Sequence, residues 1–177
     1  MRRWMASVLT PSCAVLAALL AGAGAAKLRS PSGAAWAPAG LGRLGGRSAA
    51  RIVGLGEVAL GGWALVAPGR VACLLLGGAY AVFAVHLFRG LRAGADCGCF
   101  GPGEAPATRG HLAFDALAAG VAIAAAVHPR PSLLALAARD WPAGIPLALG
   151  VGCAAYLSYL VLAVLPPLWH AGAAREP

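Results

Sequence analysis

The chain has 177 residues, of which 60% are hydrophobic and 11% charged, with a formal net charge of +8. A soluble globular chain carries about 25% charged residues and at this size buries only about 70% of its surface, so water cannot be the main solvent for this composition. Nor does the positive charge mark a nucleic-acid binder. The arginines stand in ones and twos between apolar runs, as in loops flanking membrane helices, without a basic face or interleaved aromatics.

Five apolar runs follow one another along the chain. The first covers residues 7–26 and stops at Lys27 and Arg29. Arg2-Arg3 ahead of it and Ala23-Gly24-Ala25 at its end imitate a signal peptide, but the run is long for an h-region and is read as a retained span. Residues 29–51 lack a clear period and hold Pro31, Gly33, Pro38, Gly40, Gly42, Gly45 and Gly46, which break helices. Trp36 among them suggests a segment at headgroup level.

The second run, 52–67, is stopped by Pro68-Gly69, and the third, 71–88, by Arg89-Gly90. The fourth, 112–127, ends at His128-Pro129, and the fifth, 143–165, at Pro166-Pro167. A helix needs about 20 residues to cross roughly 30 Å of hydrocarbon. Runs one, three and five meet that length, while two and four are shorter and each carries an acid, Glu57 or Asp115. The expected fold is all-α: a multi-pass membrane bundle of four core helices with a fifth, C-terminal helix on its outside. Small residues at 54, 56, 61, 62, 77, 78 and 79 would let backbones approach closely in lipid, and Gly150 and Gly152 would do the same for the last helix.

The chemistry concentrates in Asp96-Cys97-Gly98-Cys99-Phe100-Gly101, between the third and fourth helices. Cys13, Cys73 and Cys153 lie within apolar runs, where cysteine behaves as a small hydrophobe. Cys97 and Cys99 stand at a helix boundary beside glycines that permit a tight turn. Three readings stay open. The pair forms a disulfide whose very small ring strains it and makes it easy to reduce, hence exchange-active. Alternatively, the two thiols ligate a soft metal with His86 or His111. As a third reading they are ordinary loop cysteines.

Glu57 is the second residue to single out, because an ionisable group inside a membrane run costs about 2.5 kcal/mol or more and points to function by default. Asp115, a few residues into its helix, is explained by the helix N-terminus and the interface. Arg109 ahead of the fourth run reads as a topogenic charge.

Taken in order, these features resemble the methylamine utilisation MauE family, within the wider DoxX-like group of small redox-associated membrane proteins. The resemblance is carried by Ala26-Lys27-Leu28 and Pro31, then Glu57 with Leu60-Gly61. It continues in Arg89-Gly90, the Asp96–Gly101 string and Arg109, although Gly110 stands where the family pattern has Asn. It implies a MauE-like four-helix domain over 1–128, with the Cys-x-Cys loop at 94–103, followed by a linker, fifth helix and short tail over 129–177. The implied role is redox. Members of the family are associated with maturing the disulfide-rich small subunit of methylamine dehydrogenase beside a thioredoxin-like partner.

On this resemblance Cys97 and Cys99 would be the redox pair of a thiol–disulfide oxidoreductase in a bacterial plasma membrane. Glu57 would handle the accompanying proton and Arg109 would stabilise a thiolate. No metal or certain cofactor is implied; a quinone is the candidate electron partner in the bilayer, although the sequence shows no quinone motif. Two other classes compete: a soft-metal binding or transport protein using the same cysteines, and a non-catalytic membrane subunit. With five spans, Arg2, Arg3, Arg70, Arg130 and Arg139 fall at one membrane face and the larger share of basic residues at the face of the cysteines. The positive-inside rule therefore turns the cysteines toward the cytoplasm. Disulfide chemistry for an exported enzyme turns them outward, and outward is the expectation.

Overall fold

The computed structural model describes residues 2–31, 42–93, 108–128 and 131–165. Among the described residues six α-helices follow in order: α1 (Arg2–Arg29), α2 (Gly42–Val66), α3 (Arg70–Ala93), α4 (Arg109–Val127), α5 (Leu133–Arg139) and α6 (Trp141–Tyr159). The last continues as a π-helical turn over Leu160–Val164. Among the described residues there is no strand. Five segments of the described residues are long and apolar enough to cross a membrane: Val8–Arg29, Gly46–Val66, Arg70–Arg92, Arg109–Val127 and Trp141–Val164. The all-α, multi-pass architecture read from the sequence is the one observed.

Two boundaries differ from the sequence reading. The helix of the second run begins at Gly42, inside the stretch whose glycines were expected to break it. Glycine costs a helix stability in water, but in lipid every backbone polar group must be satisfied within the segment, which favours helix. The short α5 was not anticipated. It is capped by Ser132, whose hydroxyl accepts from the backbone N–H of Ala135 at 3.0 Å, and it is too short to show a period.

The bundle is built from two antiparallel helix pairs. At the crossing of α1 and α2, a methyl group on Gly24 would lie 2.5 Å from the Gly54 carbonyl oxygen. One on Gly61 would lie 2.5 Å from the Ala17 carbonyl oxygen, so the two backbones touch along two helical turns. On α3, Gly77 fits against Ala119 and Ile123 of α4 in the same way. Close approach of this kind is how helices associate when lipid offers no hydrophobic drive. Gly56, Gly62 and Gly78 have nothing within 4 Å of such a methyl, so these three of the seven expected small residues make no close helix contact. Gly150 and Gly152 are likewise open, against expectation; α6 makes its close approach through Gly144, which meets Ala137 of α5.

Leu16, Ala17, Leu20, Ala64, Ala72, Leu76, Tyr80, Ala118, Ala119 and Ala122 form the core between α1, α2, α3 and α4. Large aliphatic side chains point the other way: Ile52, Leu55, Val71, Val82, Leu117, Leu149 and Val161 are exposed, an outer belt suited to acyl chains. Few side chains of α6 are buried, and its packing outside α5 is against α1. It lies on the outside of the four-helix core, as expected, yet Leu162 beyond its end is buried and reaches inward.

Candidate functional site

A row of polar side chains lies inside this apolar bundle. Lys27 and Glu57 are 2% and 5% exposed, and His111 and Asp115 are 6% and 3% exposed. The Lys27 ammonium donates to both Glu57 carboxylate oxygens at 2.9 Å. Glycine spacing explains how they meet. Lys27 follows Gly24 by three residues on α1, and Glu57 follows Gly54 by three on α2. Side chains on a helix lean toward its N-terminus. On antiparallel helices the two therefore lean toward each other across the Gly24–Gly54 contact. The Lys27 ammonium also lies 5.7 Å from the centroid of the Phe83 ring on α3, within reach of a cation–π attraction.

Tyr80 and α4 complete the cluster. The Tyr80 hydroxyl donates to the Leu16 carbonyl at 2.8 Å, tying α3 to α1. Its ring meets Phe83 and Phe114 edge-on at 6.1 and 6.3 Å. On α4, Thr108 caps the helix by accepting from the backbone N–H of His111 at 3.1 Å. That cap fixes the first turn, and His111 and Asp115, four residues apart, fall on one face. Together with Lys27, Tyr80, Phe83, Phe114 and Leu162 they line a cavity of about 20 Å3 as seen by a water-sized sphere, room for one water molecule.

Two residues here were read differently from the sequence. Asp115 was assigned to the helix N-terminus and the interface; it is buried in the second turn of α4 and faces the bundle interior. Lys27, which in the sequence reads as a charge closing the first helix, is the buried partner of Glu57. A helix-end lysine and a buried one look alike in sequence, and only its spacing from Gly24 hints at the difference. Glu57 faces the interior beside a cation, as the cost of an ionised group in lipid requires. Arg109 is the first residue of α4 and is exposed. Cys97, Cys99, the 94–103 loop and Trp36 lie outside the described residues. Among the described residues, no group of three or more His, Cys, Asp or Glu side chains is arranged to hold a metal ion.

Lys27, Glu57, His111 and Asp115 sit toward one end of the bundle. Lys27 is near the C-terminal end of α1, and His111 and Asp115 are in the first two turns of α4. That is the end at which α3 stops and α4 starts, so it is the end bridged by the chain segment containing Cys97 and Cys99. Fold and cluster together define a multi-pass helical membrane protein with charged side chains buried in its interior, at the end where α3 stops and α4 starts. The family model described as Methylamine utilisation protein MauE matches residues 4–128, the four core helices and the segment between α3 and α4. The chain belongs to this family. No curated protein and no solved structure matches it.

Proposed function

We propose that this chain is a membrane thiol–disulfide redox protein of the MauE type, exchanging electrons through Cys97 and Cys99 with a thioredoxin-like partner. What supports the reading is family membership over residues 4–128, a range that includes the Asp-Cys-Gly-Cys-Phe-Gly string. In the exchange a thiolate of the partner attacks one sulfur of the Cys97–Cys99 disulfide, giving a mixed disulfide. The partner's second thiol then resolves it. The partner leaves as a disulfide, and the pair becomes two thiols, having taken up two electrons and two protons. Returning the two thiols to the disulfide would require an acceptor of two electrons and two protons, the chemistry that a quinone in the bilayer would supply. Arg109, exposed at the start of α4, stabilises the thiolate electrostatically, and the buried cluster that includes Glu57 handles protons. The client is an amine dehydrogenase or another exported enzyme, and the site of action is the plasma membrane of a bacterium.

Trapping tests this directly. Cys97→Ser and Cys99→Ser, made singly, remove the resolving or the attacked sulfur, and one of them should accumulate a mixed disulfide with a thioredoxin-like protein. The wild-type pair should titrate reversibly against glutathione at a potential above the roughly −300 mV of structural disulfides. If neither variant traps a partner and no two-thiol change is seen, the redox reading fails. Stoichiometric soft-metal binding by the same cysteines would then make it a metal-handling protein. Undisturbed activity in the double serine variant would make it a non-catalytic subunit.

A further inference from the structure

One line of α1 carries only small side chains where it runs beside α6. Ala18, Gly22, Ala25 and Ala26 recur at the three- and four-residue spacing of a helix face, and Arg29 continues that line to the helix end. With Tyr156 and Tyr159 of α6 opposite, they line a groove of about 360 Å3, within the roughly 300–1,000 Å3 of small-molecule sites. A methyl built on Gly22 would have nothing within 4 Å, so the floor of the groove is open. The two tyrosine rings stack on the other side, 6.4 Å apart at their centroids and inclined by 29°.

Its length is that of one leaflet. The eleven residue steps from Ala18 to Arg29, at about 1.5 Å each, span about 16 Å, against about 15 Å for half of the hydrocarbon core. Arg29 closes the Val8–Arg29 span and is exposed, and Tyr159 stands near the end of the Trp141–Val164 span. The guanidinium and a phenol ring thus meet at headgroup level, where tyrosine is enriched. Charge decides the occupant. Arg29, Arg47, Arg51, Arg89, Arg92 and Arg109 are all exposed at this end of the bundle, and the acids described there, Glu57 and Asp115, are buried. Among the described residues every exposed charge at this end is therefore positive, which attracts anionic headgroups, and a guanidinium matches a phosphate in two parallel hydrogen bonds.

We propose that the groove between α1 and α6 binds one anionic phospholipid, its phosphate held by Arg29 and one acyl chain lying along Ala26, Ala25, Gly22 and Ala18 to the middle of the bilayer. A chain seated there gives α6, which buries few side chains of its own, an apolar surface shared with α1. A neutral ring, or the face of a second copy of the chain, would fill the same slot without using Arg29. The proposal is independent of the thiol chemistry.

Native mass spectrometry of the delipidated full chain in mild detergent, with phosphatidylglycerol or phosphatidylcholine added, reads the site directly. Wild-type protein should retain one phosphatidylglycerol at least about fivefold more strongly than phosphatidylcholine, the worth of one arginine at an anionic surface. Arg29→Gln should erase that preference. Arg51→Gln, which removes the same charge outside the groove, should leave it intact. Gly22→Leu fills the slot and should weaken retention of both lipids by a similar factor; with Gly22 open and Arg29 exposed, neither substitution disturbs the core. A preference that survives Arg29→Gln, or is lost equally in Arg51→Gln, would mean annular lipid only and would overturn the proposal. Retention untouched by Gly22→Leu would overturn the seating of the chain in the groove. Tight binding of an isoprenoid quinone that persists in Arg29→Gln, or a lipid-free dimer dissociated by Gly22→Leu, would assign the groove to another occupant and overturn it as well.

Discussion

The ammonium of Lys27 and the carboxylate of Glu57 meet at 2.9 Å through both oxygens, each residue placed three positions beyond the glycine at which their helices touch. Charge and backbone contact are thus coupled. A bulkier residue at either glycine would separate the helices and pull the ion pair apart, and losing one charge would leave the other buried beside a crossing that gives it no room to escape.

Removing one partner of this pair should therefore cost more than removing both. Breaking a buried pair destabilises by about 3–5 kcal/mol, whereas replacing both members with apolar residues of similar size is often neutral or better. Lys27→Met alone should lower the midpoint of thermal unfolding in detergent markedly, and Lys27→Met with Glu57→Leu should recover most of that loss. A double variant as unstable as the sum of the singles would mean that the pair is not coupled.

Gly61 and Gly62 are adjacent but should respond oppositely. A methyl on Gly61 would press on the Ala17 carbonyl oxygen and on the Ala21 nitrogen at 2.8 Å, both backbone atoms that cannot turn aside. Gly61→Ala should cost about 1–3 kcal/mol by overpacking. Gly62 has nothing within 4 Å, so Gly62→Ala should be neutral or slightly stabilising through helix propensity. Equal effects at the two positions, measured by unfolding in mixed micelles, would contradict the antiparallel crossing.

Much of this fold was legible in the sequence because the bilayer simplifies the problem. Long apolar runs bounded by Arg, Pro and Gly mark spans, and Glu57 stood out because a carboxylate in such a run demands a partner. The partner itself was not legible. Lys27 sits where any topogenic lysine would sit, and its burial depends on α2 crossing at Gly24 rather than elsewhere, a long-range fact that no local pattern carries. His111 and Asp115 do have a local signal, their four-residue spacing on one helix, but Asp115 so near a helix start has an ordinary explanation that hides it. The glycines show the same limit. Gly54 and Gly56 are equivalent as composition, and only the rotation of α2 against α1 decides which one touches.

Tyr80→Phe tests the tie between α3 and α1. The substitution keeps the ring contacts to Phe83 and Phe114 and deletes the donation to the Leu16 carbonyl. Side-chain hydrogen bonds between membrane helices average about 0.6 kcal/mol, so the loss should be small. A loss of several kcal/mol would mean that the hydroxyl also holds together the wider cluster at the cavity.

The face of the membrane on which Cys97 and Cys99 act is the remaining prediction. Counting basic residues at the two faces favours the cytoplasm for the cysteine end, but that count includes Lys27. Its charge is matched by Glu57 inside the bundle and contributes nothing at the headgroups. Removing it narrows the imbalance, and what is left is weighed against the chemistry of an exported client, which needs a compartment where disulfides persist. We therefore expect Cys97 and Cys99 to face outward. In intact cells treated with a mild reductant, an impermeant maleimide should label the protein at these two positions. The background is favourable, because Cys13 and Cys73 are buried in the core. Cys153, exposed but in the middle of a membrane-spanning helix, can be changed to Ser. Labelling that appears only after the membrane is permeabilised would place the pair in the cytoplasm, where thiols are kept reduced, and would rule out an exported client.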